Sequence, residues 1–372
     1  MKIKVSSNLY GLAKLFGEDT PLFVVGGYVR NSLLRLRAED IDICSCLKLT
    51  EVKQLLAGSK FDINIKSAKL NTCEIICADE KYEYATFRKE FYAGEGEHTP
   101  CSIDFDATIV EDVSRRDFTC NSLYYEILSG TIIDFFGGQK DIKDKMLKTV
   151  ATPESVLCND GVRVLRLVRF ASELNFTIDA DTYDMAVKYK SNLKSISKDR
   201  IRDEFVKILT ASSTYTKIDK KSLFNKNRGY NGVKLIDKLN LWEYFGADER
   251  IKHMRGVGAY LRAFLKCKAD EVMSFAVDSY FYLKSSNVVT SPSDFVNMLF
   301  GSTGLNFKRK TRADILNTLK VLDELDNLRE NFDDQKAKKL KAKLNTQELK
   351  MYAKALGGKL YLTYKKVMNT KE

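Results

Sequence analysis

The chain has 372 residues, of which 44% are hydrophobic and 11% aromatic, which predicts two to four folded units and excludes a disordered chain. Its formal net charge of +11 is concentrated near the end, because residues 301–372 hold 17 Lys+Arg against 9 Asp+Glu. A basic block of this kind favours a polyanionic partner, most commonly nucleic acid; a lysine-rich solvated surface is the alternative.

The cysteines and the hydropathy pattern exclude further classes. Eight cysteines are scattered without a C-x-x-C pair, and only two histidines accompany them, so no structural zinc site is expected. No stretch approaches ~18 apolar residues, and residues 1–17 lack the apolar core of a signal peptide. We therefore expect a cytoplasmic protein with free thiols and no membrane partner.

Strands dominate the first third of the chain. They are predicted at 22–25, 40–44, 61–65, 72–77, 82–87, 122–127 and 131–135. Helices at 29–36 and 50–56 fall between the early strands, so a β-sheet with flanking helices is expected.

After residue 141 the pattern becomes helical. Helices are predicted at 160–174, 179–189, 200–209 and 233–245, and no proline lies between positions 153 and 292 to interrupt them. Gly301 and Gly304 mark a joint before the basic tail. The expected fold class is α+β, with the sheet first and an all-helical remainder.

The first polar motif follows the first strand. Gly26 and Gly27 precede Arg30, and Asp40 and Asp42 follow within a dozen residues. Alternation along a strand would place both carboxylates on one face, where they repel each other unless a cation such as Mg²⁺ lies between them. Glycines allow backbone amides to approach phosphates. A surface turn or a helix cap is the alternative for the aspartates, but the isoleucines that alternate with them favour a strand. The motif predicts a site for magnesium and a triphosphate.

The second motif combines guanidinium, carboxylate and amide groups. Arg116 and Asp117 directly precede Phe118, and Asn121 lies between Phe118 and Leu123. The apolar side chains of Phe118 and Leu123 would anchor the segment in a core. These polar groups suit a ribose and its phosphates. An exposed local salt bridge is the alternative.

The third motif is an arginine-rich helix. Arg163, Arg166 and Arg169 follow Asp160 at spacings of three, which predicts one shared stripe. A solvated basic face is the alternative. Three arginines without a lysine favour recognition of base edges and phosphates, because the planar guanidinium fork offers donors in fixed directions.

Hydrogen-bond chemistry gives the pair Asp160 and Arg163 a selectivity. The pair offers one acceptor beside one donor fork, which matches cytosine (N4 amino beside N3) and adenine (N6 amino beside N1). Uracil and guanine present the reverse order and would leave buried groups unpaired, at ~1–3 kcal/mol each. We therefore hypothesise that the pair accepts C and A and refuses U and G.

Together these motifs resemble the class II tRNA nucleotidyltransferase/poly(A) polymerase family over about residues 22–210. The segments that carry the resemblance are Gly26-Gly27-x-Val29-Arg30 with Asp40-x-Asp42, Arg116-Asp117, Asp134-x-x-Gly137-Gly138-x-x-Asp141, Asn159-Asp160-Gly161-Val162-Arg163 and Ser197-Lys198-Asp199-Arg200-Ile201-x-x-Glu204. Five motifs in one order make a chance resemblance very improbable.

The resemblance implies addition of CCA, from CTP and ATP, to the 3′ end of tRNA without a nucleic-acid template. Asp40 and Asp42 would be the catalytic ligands of two Mg²⁺ ions. Nucleotide binding would fall to Gly26, Gly27, Arg30, Arg116, Asp117, Asn121, Asp160, Arg163, Arg166 and Arg169. The expected domains are a head (1–140), a neck (141–215), a body (216–300) and a basic, tRNA-binding tail (301–372). A poly(A) polymerase or a CC-only or A-only enzyme remains an alternative, as does a non-catalytic RNA-binding module.

Three departures from the family pattern stand out. Asn31 occupies a position where the family has Asp, and Asn159 replaces the first Glu of the base-reading motif. The loop 89–99, which the family links to the change from C to A addition, contains glutamates and no arginine. The sequence therefore leaves open whether the final adenosine is added.

Overall fold

The computed structural model describes residues 3–38, 40–94, 96, 99–215, 228–267, 270–344 and 346–370. The described residues up to Ser195 form one compact unit, and those from Ile196 onward form a second. The predicted α+β class is confirmed, because the first unit contains a mixed sheet and the second is helical.

The first unit contains eleven strands among its described residues. They are β1 Phe23–Val25, β2 Asp42–Ser45, β3 Asp62–Ser67, β4 Thr72–Cys77, β5 Glu80–Thr86, β6 Lys89–Phe91, β7 Ser102–Asp104, β8 Tyr124–Glu126, β9 Ile132–Ile133, β10 Met146–Leu147 and β11 Thr177–Ile178. Seven of them form a sheet in the order β3-β4-β5-β2-β1-β8-β9. Strands β2 and β5 pair in parallel, and the other neighbours in this sheet pair antiparallel.

Helices accompany this sheet within the first unit. They are α1 Ser7–Phe16, α2 Gly27–Leu33, α3 Leu49–Leu56, α4 Ile109–Ser114, α5 Gly138–Asp144, α6 Pro153–Asn159, α7 Val162–Leu174 and α8 Ala180–Tyr189. Apolar side chains of β1, β2 and β8 bury a core with Phe87 and Val113. This core fixes the ends of β1 and β2, where the first polar motif lies.

Helices joined by loops and turns make up the described residues of the second unit. Its helices are α9 Lys198–Leu209, α10 Ala211–Thr214, α11 Arg228–Leu239, α12 Arg262–Lys266, α13 Glu271–Ser285, α14 Pro292–Phe295, α15 Arg309–Glu330, α16 Asp334–Lys343, α17 Gln347–Leu356 and α18 Gly358–Met368. An aromatic cluster holds α9 and α13 together. In it, the ring of Phe205 lies 5.9 Å from Trp242, 5.1 Å from Phe245 and 5.2 Å from Phe275.

The predicted bounds need correction at several points. The strand predicted at 40–44 begins at Asp42, so Asp40 lies just before it. The helix predicted at 233–245 ends at Leu239, because Asn240 adopts a left-handed conformation with φ 56° and closes the helix end. The helix predicted at 160–174 begins at Val162, since α6 ends at Asn159.

Two small β-structures were also missed. The parallel pair of β10 and β11 lies inside the region predicted as all-helical. The first residues of the predicted loop 89–99 form β6, which pairs with β7. Strands of two or three residues carry no usable period, which explains both misses.

Two further properties bear on the predictions above. All eight cysteines are free thiols. None of the helices in the described parts of the chain has the length and apolar content needed to cross a membrane.

The body was predicted to begin at 216, but residues 216–227 lie outside the described ones. The four-part division of the chain therefore stays a prediction.

Candidate active site

The predicted metal-binding carboxylates stand at the start of β2. Asp40 is exposed, whereas Asp42 is partly buried and pairs in register with Glu83 of the parallel strand β5. Burial, together with the nearby charges of Glu83 and Asp40, raises the pKa of Asp42 to about 6, and Arg116 partly opposes this rise. Ionised Asp42 is therefore disfavoured here, and a cation bound beside it would relieve that cost.

The glycine turn lies directly against this carboxylate. Gly26 follows β1 with φ 66°, a left-handed conformation that glycine adopts at little cost. A Cβ at this position would lie 3.7 Å from Nη1 of Arg116 and 3.9 Å from Oδ2 of Asp42. The fold thus brings together Gly26, Asp42 and Arg116, which are up to 90 positions apart in sequence.

Arg30 is buried behind the same turn. Its side chain is 3% exposed, and its Nε and Nη2 donate to Oδ1 of Asn31 at 3.1 and 2.9 Å. Its Nη1 donates to Oδ1 of Asn121. Gly27 lies over the guanidinium, since a Cβ there would be 3.6 Å from Nη2. Two amide oxygens therefore fix the direction of this arginine.

A buried carboxylate that the sequence reasoning missed organises the second motif. Asp112 is 1% exposed; its Oδ1 accepts from Arg115 at 2.9 and 2.7 Å, and its Oδ2 accepts from Arg116 at 3.2 Å and from the hydroxyl of Tyr124. Burial alone would raise the pKa of Asp112, but the two arginines outweigh it and lower the pKa to about 2. The spacing of three and four residues before two arginines was the available signal.

We expect Asp112→Asn to lower the free energy of unfolding by about 2–3 kcal/mol at pH 7, because it removes a buried, doubly paired carboxylate. The folded-state pKa lies below the ordinary 3.8, so this contribution is complete above about pH 4 and is lost as the pH falls through about 2.

Urea unfolding at pH 7 and at pH 2.5 measures this prediction. The exposed Asp106 provides the control, and Asp106→Asn should leave stability unchanged at both pH values. An Asp112→Asn protein as stable as the wild type at pH 7 would contradict the assigned ion pairs.

Asp117 joins the second motif to the third. Its Oδ2 accepts from Nε of Arg166 at 2.8 Å and lies 2.6 Å from Nη2. Its Oδ1 accepts from Nδ2 of Asn121 at 3.2 Å. Burial raises the pKa of Asp117, but Arg166 and Arg163 outweigh this and lower it to about 2. The carboxylate is thus ionised and braces the arginine helix.

The two residues predicted to read the base lie close together, and both side chains already have partners within the protein. Asp160 lies between α6 and α7, and its Oδ2 is 3.8 Å from Nε of Arg163. The terminal nitrogens of Arg163 donate to the carbonyls of Val156 at 3.0 Å and Arg115 at 2.7 Å. The predicted stripe is corrected here, because Asp160 precedes helix α7 and its Oδ1 accepts from the amide of Val162.

Three guanidiniums converge on one aromatic ring. The Cζ atoms of Arg30, Arg166 and Arg169 lie 5.2, 5.3 and 4.3 Å from the ring centre of Phe170. Cations at such distances are attracted by the ring but repel each other. The arrangement favours an anionic ligand with several oxygens, as a triphosphate offers.

The loop 89–99 approaches the base-reading segment. The amide of Gly96 donates to the carbonyl of Cys158 at 2.6 Å, and the hydroxyl of Ser195 donates to the carbonyl of Gly96 at 2.6 Å. Residue 161 must be glycine, because a Cβ there would overlap the carbonyl oxygen of Asn192. Residues 95, 97 and 98 of this loop lie outside the described ones.

Family profiles match two parts of the chain. The poly A polymerase head domain matches residues 22–148, and the probable RNA and SrmB-binding site of polymerase A matches residues 175–220. The first match covers the glycine turn, the carboxylates and the second motif.

Curated relatives match the same half of the chain. The CCA-adding enzyme of Lactobacillus helveticus (strain DPC 4571) is 37% identical over 187 residues, which are 50% of this chain and 45% of that enzyme. The CCA-adding enzyme of Bacillus subtilis (strain 168) is 35% identical over 187 residues, covering 50% and 46%. The match thus spans about half the length of each relative.

Solved structures resemble the chain over its whole length. The Bacillus stearothermophilus CCA-adding enzyme in complex with CTP has a TM-score of 0.70 at 22% identity, covering 97% of this chain and 81% of that one. The Thermotoga maritima CCA-adding enzyme complexed with tRNA has a TM-score of 0.64 at 19% identity, covering 99% and 85%. At these identities the likeness establishes the fold.

Proposed function

We propose that this chain, which belongs to the class II tRNA nucleotidyltransferase/poly(A) polymerase family, adds CCA to the 3′ end of tRNA from CTP and ATP. The proposal rests on one observation: Gly26, Asp42 and Arg116 lie against each other, and a cluster of arginines lies beside them. A carboxylate, a glycine turn and several guanidiniums are the groups that transfer of a nucleotide from a triphosphate requires.

The carboxylates fit a divalent cation that the substrate helps to bind. Among the described residues, no group of three or more His, Cys, Asp or Glu side chains could hold a metal alone. Mg²⁺ commonly takes one or two carboxylates and completes its shell with phosphate oxygens and water. Asp40 and Asp42 would hold Mg²⁺. Asp42 is partly buried and pairs in register with Glu83 of β5, so a cation there would offset the negative charge gathered at this end of the sheet. When bound, two such ions supply activation of the RNA 3′-hydroxyl and neutralisation of the leaving pyrophosphate.

The arginines would bind and orient the nucleotide. Arg30, Arg166 and Arg169 surround Phe170 and suit the triphosphate. The amide of Gly26 already donates to the carbonyl of Leu123 at 3.2 Å, so Gly26 and Gly27 would serve by letting a phosphate approach the turn closely. Arg116 contacts Tyr124 of β8, while Asp117 and Asn121 contact Arg166 and Arg30 of this cluster. These three residues suit the ribose and nearby phosphate. Asp117 would act chiefly by bracing Arg166, since its Oδ2 is already paired.

Asp160 and Arg163 would select the base. The pair lies within one unit with the arginine helix, and the acceptor and donor groups needed for C and A are both present. Arg163 would exchange one of its bonds to a backbone carbonyl for a bond to the base edge. Because uracil and guanine cannot satisfy the pair, we expect CTP and ATP as substrates.

The helical unit would hold the tRNA. The basic charge of residues 301–372 suits contact with the RNA backbone, which is read by shape and charge rather than by sequence. A relative of similar fold binds tRNA, which supports the same partner here. With eight free thiols, the protein would act in a reducing compartment such as the cytoplasm.

Omission of nucleotides tests the proposal. A tRNA lacking its 3′ CCA is incubated with Mg²⁺ and with CTP alone, ATP alone or both, and the products are sized on a sequencing gel. We expect two residues to be added with CTP alone and three with both, followed by a stop. A long A tract would identify a poly(A) polymerase, and a stop after CC with both nucleotides would identify a CC-adding enzyme.

The second candidate is the CC-adding enzyme, which the loop 89–99 favours. This loop lacks arginine, and its Gly96 is bonded to the segment that carries Asp160. A non-catalytic RNA-binding module is a remote third candidate. It would bind the tRNA in the same assay but add nothing under any nucleotide condition.

A further inference from the structure

An exposed tyrosine rests on a second aromatic ring in the helical unit, outside the basic tail. The side chain of Tyr260 is 50% exposed, and its ring centre lies 4.6 Å from that of Tyr282 in α13. The hydroxyl of Tyr282 donates to the carbonyl of Arg255 at 2.9 Å. The ring of Tyr260 is thus supported by a ring that is itself hydrogen-bonded, while half of its side chain meets solvent.

The turn that carries Tyr260 is fixed by a carboxylate of helix α11. Asp237 accepts from the amides of Gly256 and Gly258, each at 3.1 Å. Gly256 has φ 90°, and a Cβ at Gly258 would lie 2.7 Å from Oδ2 of Asp237, so both positions favour glycine. The amide of Tyr260 donates to the carbonyl of Val257 at 2.8 Å. The tyrosine therefore stands on a turn of fixed shape and needs little ordering to bind a ligand.

Positive charge surrounds this turn. Residues 251–267 contain four Lys or Arg and no Asp or Glu. Arg255 and Arg262, which lie on either side of the tyrosine in sequence, are exposed. The exposed Lys234 of α11 lies against the same turn, because its Cγ would be 3.2 Å from a Cβ at Gly258. The open ring is therefore set among cations, an arrangement that attracts a polyanion.

Two carboxylates that face this segment are used by other donors. Asp237 accepts from two backbone amides and from Nε1 of Trp242. Asp278 of α13 accepts from the amides of Ala263 and Phe264, at 2.9 Å each, at the start of α12. Because the fold itself employs these carboxylates, the guanidinium groups near the tyrosine can serve an external anion.

We propose that Tyr260, Arg255 and Arg262 form an RNA-binding platform, on which an unpaired base of the tRNA stacks against the tyrosine while the arginines contact the adjoining phosphates. The proposal rests on the proposed function in taking tRNA as the polyanion. Every base has a π-face, so stacking accepts any base, and contacts to phosphates carry no sequence information. An acidic peptide would satisfy the arginines but would leave the exposed ring unused.

The platform extends the predicted RNA contact beyond the tail. The sequence analysis assigned tRNA binding to residues 301–372 because of their net charge, whereas the platform lies within residues 255–262. A short basic segment is hidden in the net charge of the chain, and neither the exposure of one tyrosine nor its contact with a residue 22 positions later can be predicted from spacing.

Three substitutions separate stacking from charge. Tyr260→Ala removes the ring, Tyr260→Phe keeps it, and Arg255→Gln removes one charge. Tyr10→Ala is the matched control, because Tyr10 is 40% exposed and has Nζ of Lys14 5.2 Å from its ring centre, but lies in α1 of the first unit. Affinity for tRNA lacking CCA is measured by filter binding without nucleotides at several salt concentrations, together with kcat and KM for tRNA and the thermal unfolding midpoint.

We expect Tyr260→Ala to weaken tRNA binding about tenfold with an unchanged salt dependence, because it removes a stacking surface and no charge. Tyr260→Phe should bind within about twofold of the wild type. Arg255→Gln should lower the slope of log affinity against log salt concentration by about 1, the value for one lost phosphate contact. In Tyr260→Ala, KM for tRNA should rise while kcat stays within about twofold. The substituted side chains are exposed, so all variants should unfold at the wild-type midpoint.

Four results would overturn the inference. Tyr260→Ala could bind tRNA as tightly as the wild type, Tyr10→Ala could weaken binding equally, Tyr260→Phe could bind as weakly as Tyr260→Ala, or Arg255→Gln could keep the wild-type salt slope. Failure of the proposed function looks different. In that case the wild type adds no nucleotide to tRNA, while the tenfold difference in tRNA affinity between it and Tyr260→Ala persists.

Discussion

Replacement of Asp42 by alanine is expected to lower nucleotide incorporation by at least about a thousandfold, equivalent to about 4 kcal/mol of transition-state stabilisation. Asp42 is partly buried beside Glu83, and Arg116 is the cation that partly offsets its charge. Without this carboxylate, Mg²⁺ would lose a ligand at the position where Gly26 and Arg116 meet. Binding of tRNA should remain, because it is assigned to the basic helical unit.

The variant should also fold. The pKa of Asp42 is raised to about 6, so above that pH the ionised carboxylate opposes folding in the metal-free protein, and alanine removes that opposition. Incorporation is measured in single-turnover reactions, tRNA affinity by filter binding and stability by thermal unfolding without Mg²⁺.

Asp62 provides a matched control for this experiment. It is exposed and, like Asp42, is the first residue of its strand, so Asp62→Ala should leave incorporation and tRNA binding unchanged. Weakened tRNA binding by Asp42→Ala with unaltered single-turnover incorporation would refute the metal assignment.

Much of the sheet could be predicted from period and composition. The strand predicted at 72–77 was found at Thr72–Cys77, because its apolar side chains alternate and turn residues bound it on both sides. The predicted start of β2 was wrong by two residues, and this error affects the candidate metal site. Asp40 and Asp42 were expected side by side on one strand, but only Asp42 belongs to β2.

The partners of the charged side chains could not be predicted in the same way. Sequence spacing suggested that Arg163 pairs with Asp160, and the pair is formed. Nothing in the spacing indicated that Arg30 would donate to Asn121, which is 91 residues away, or that Asp117 would accept from Arg166. Several carboxylates and amides compete for each guanidinium, and tertiary packing decides which lies within about 3 Å.

The second unit shows a different limit. Its helical character was foreseen because long proline-free stretches carry a helical period, yet only two of its helices were predicted with bounds, and the period does not specify how the helices pack. The contact of Phe205 with Trp242, Phe245 and Phe275 joins residues from separate helices and turns. The motifs that carry the family resemblance also end near residue 210, so the proposal that the tail binds tRNA rests on its charge rather than on recognised motifs.

If the proposed base-reading role holds, replacement of Asp160 by asparagine is expected to change which nucleotides are incorporated. Asparagine keeps an oxygen that can accept from the amide of Val162, as Oδ1 of Asp160 does, but offers a donor in place of the second acceptor. The amino groups of cytosine and adenine would then face an NH₂ group. We expect kcat/KM for CTP and for ATP to fall about a hundredfold, from one or two buried unpaired groups.

Selection against UTP should weaken at the same time, because asparagine can donate to the O4 carbonyl of uracil while aspartate cannot. Single-turnover incorporation of each of the four nucleoside triphosphates into tRNA lacking CCA measures both effects. The ratio of the CTP and UTP rates is the decisive quantity, since a general loss of folding or of tRNA binding lowers both rates together and leaves it unchanged.

Asp179 supplies the matched control, because it also accepts from a backbone amide at a helix start, that of Thr182 in α8. Asp179→Asn should therefore show only the effect of weakening a helix cap, and the ratio of the CTP and UTP rates should stay as in the wild type. If Asp160→Asn behaves in the same way, Asp160 only caps the start of α7. The bonds of Arg163 to the carbonyls of Val156 and Arg115 would then be permanent, and C and A would be selected elsewhere in the nucleotide site.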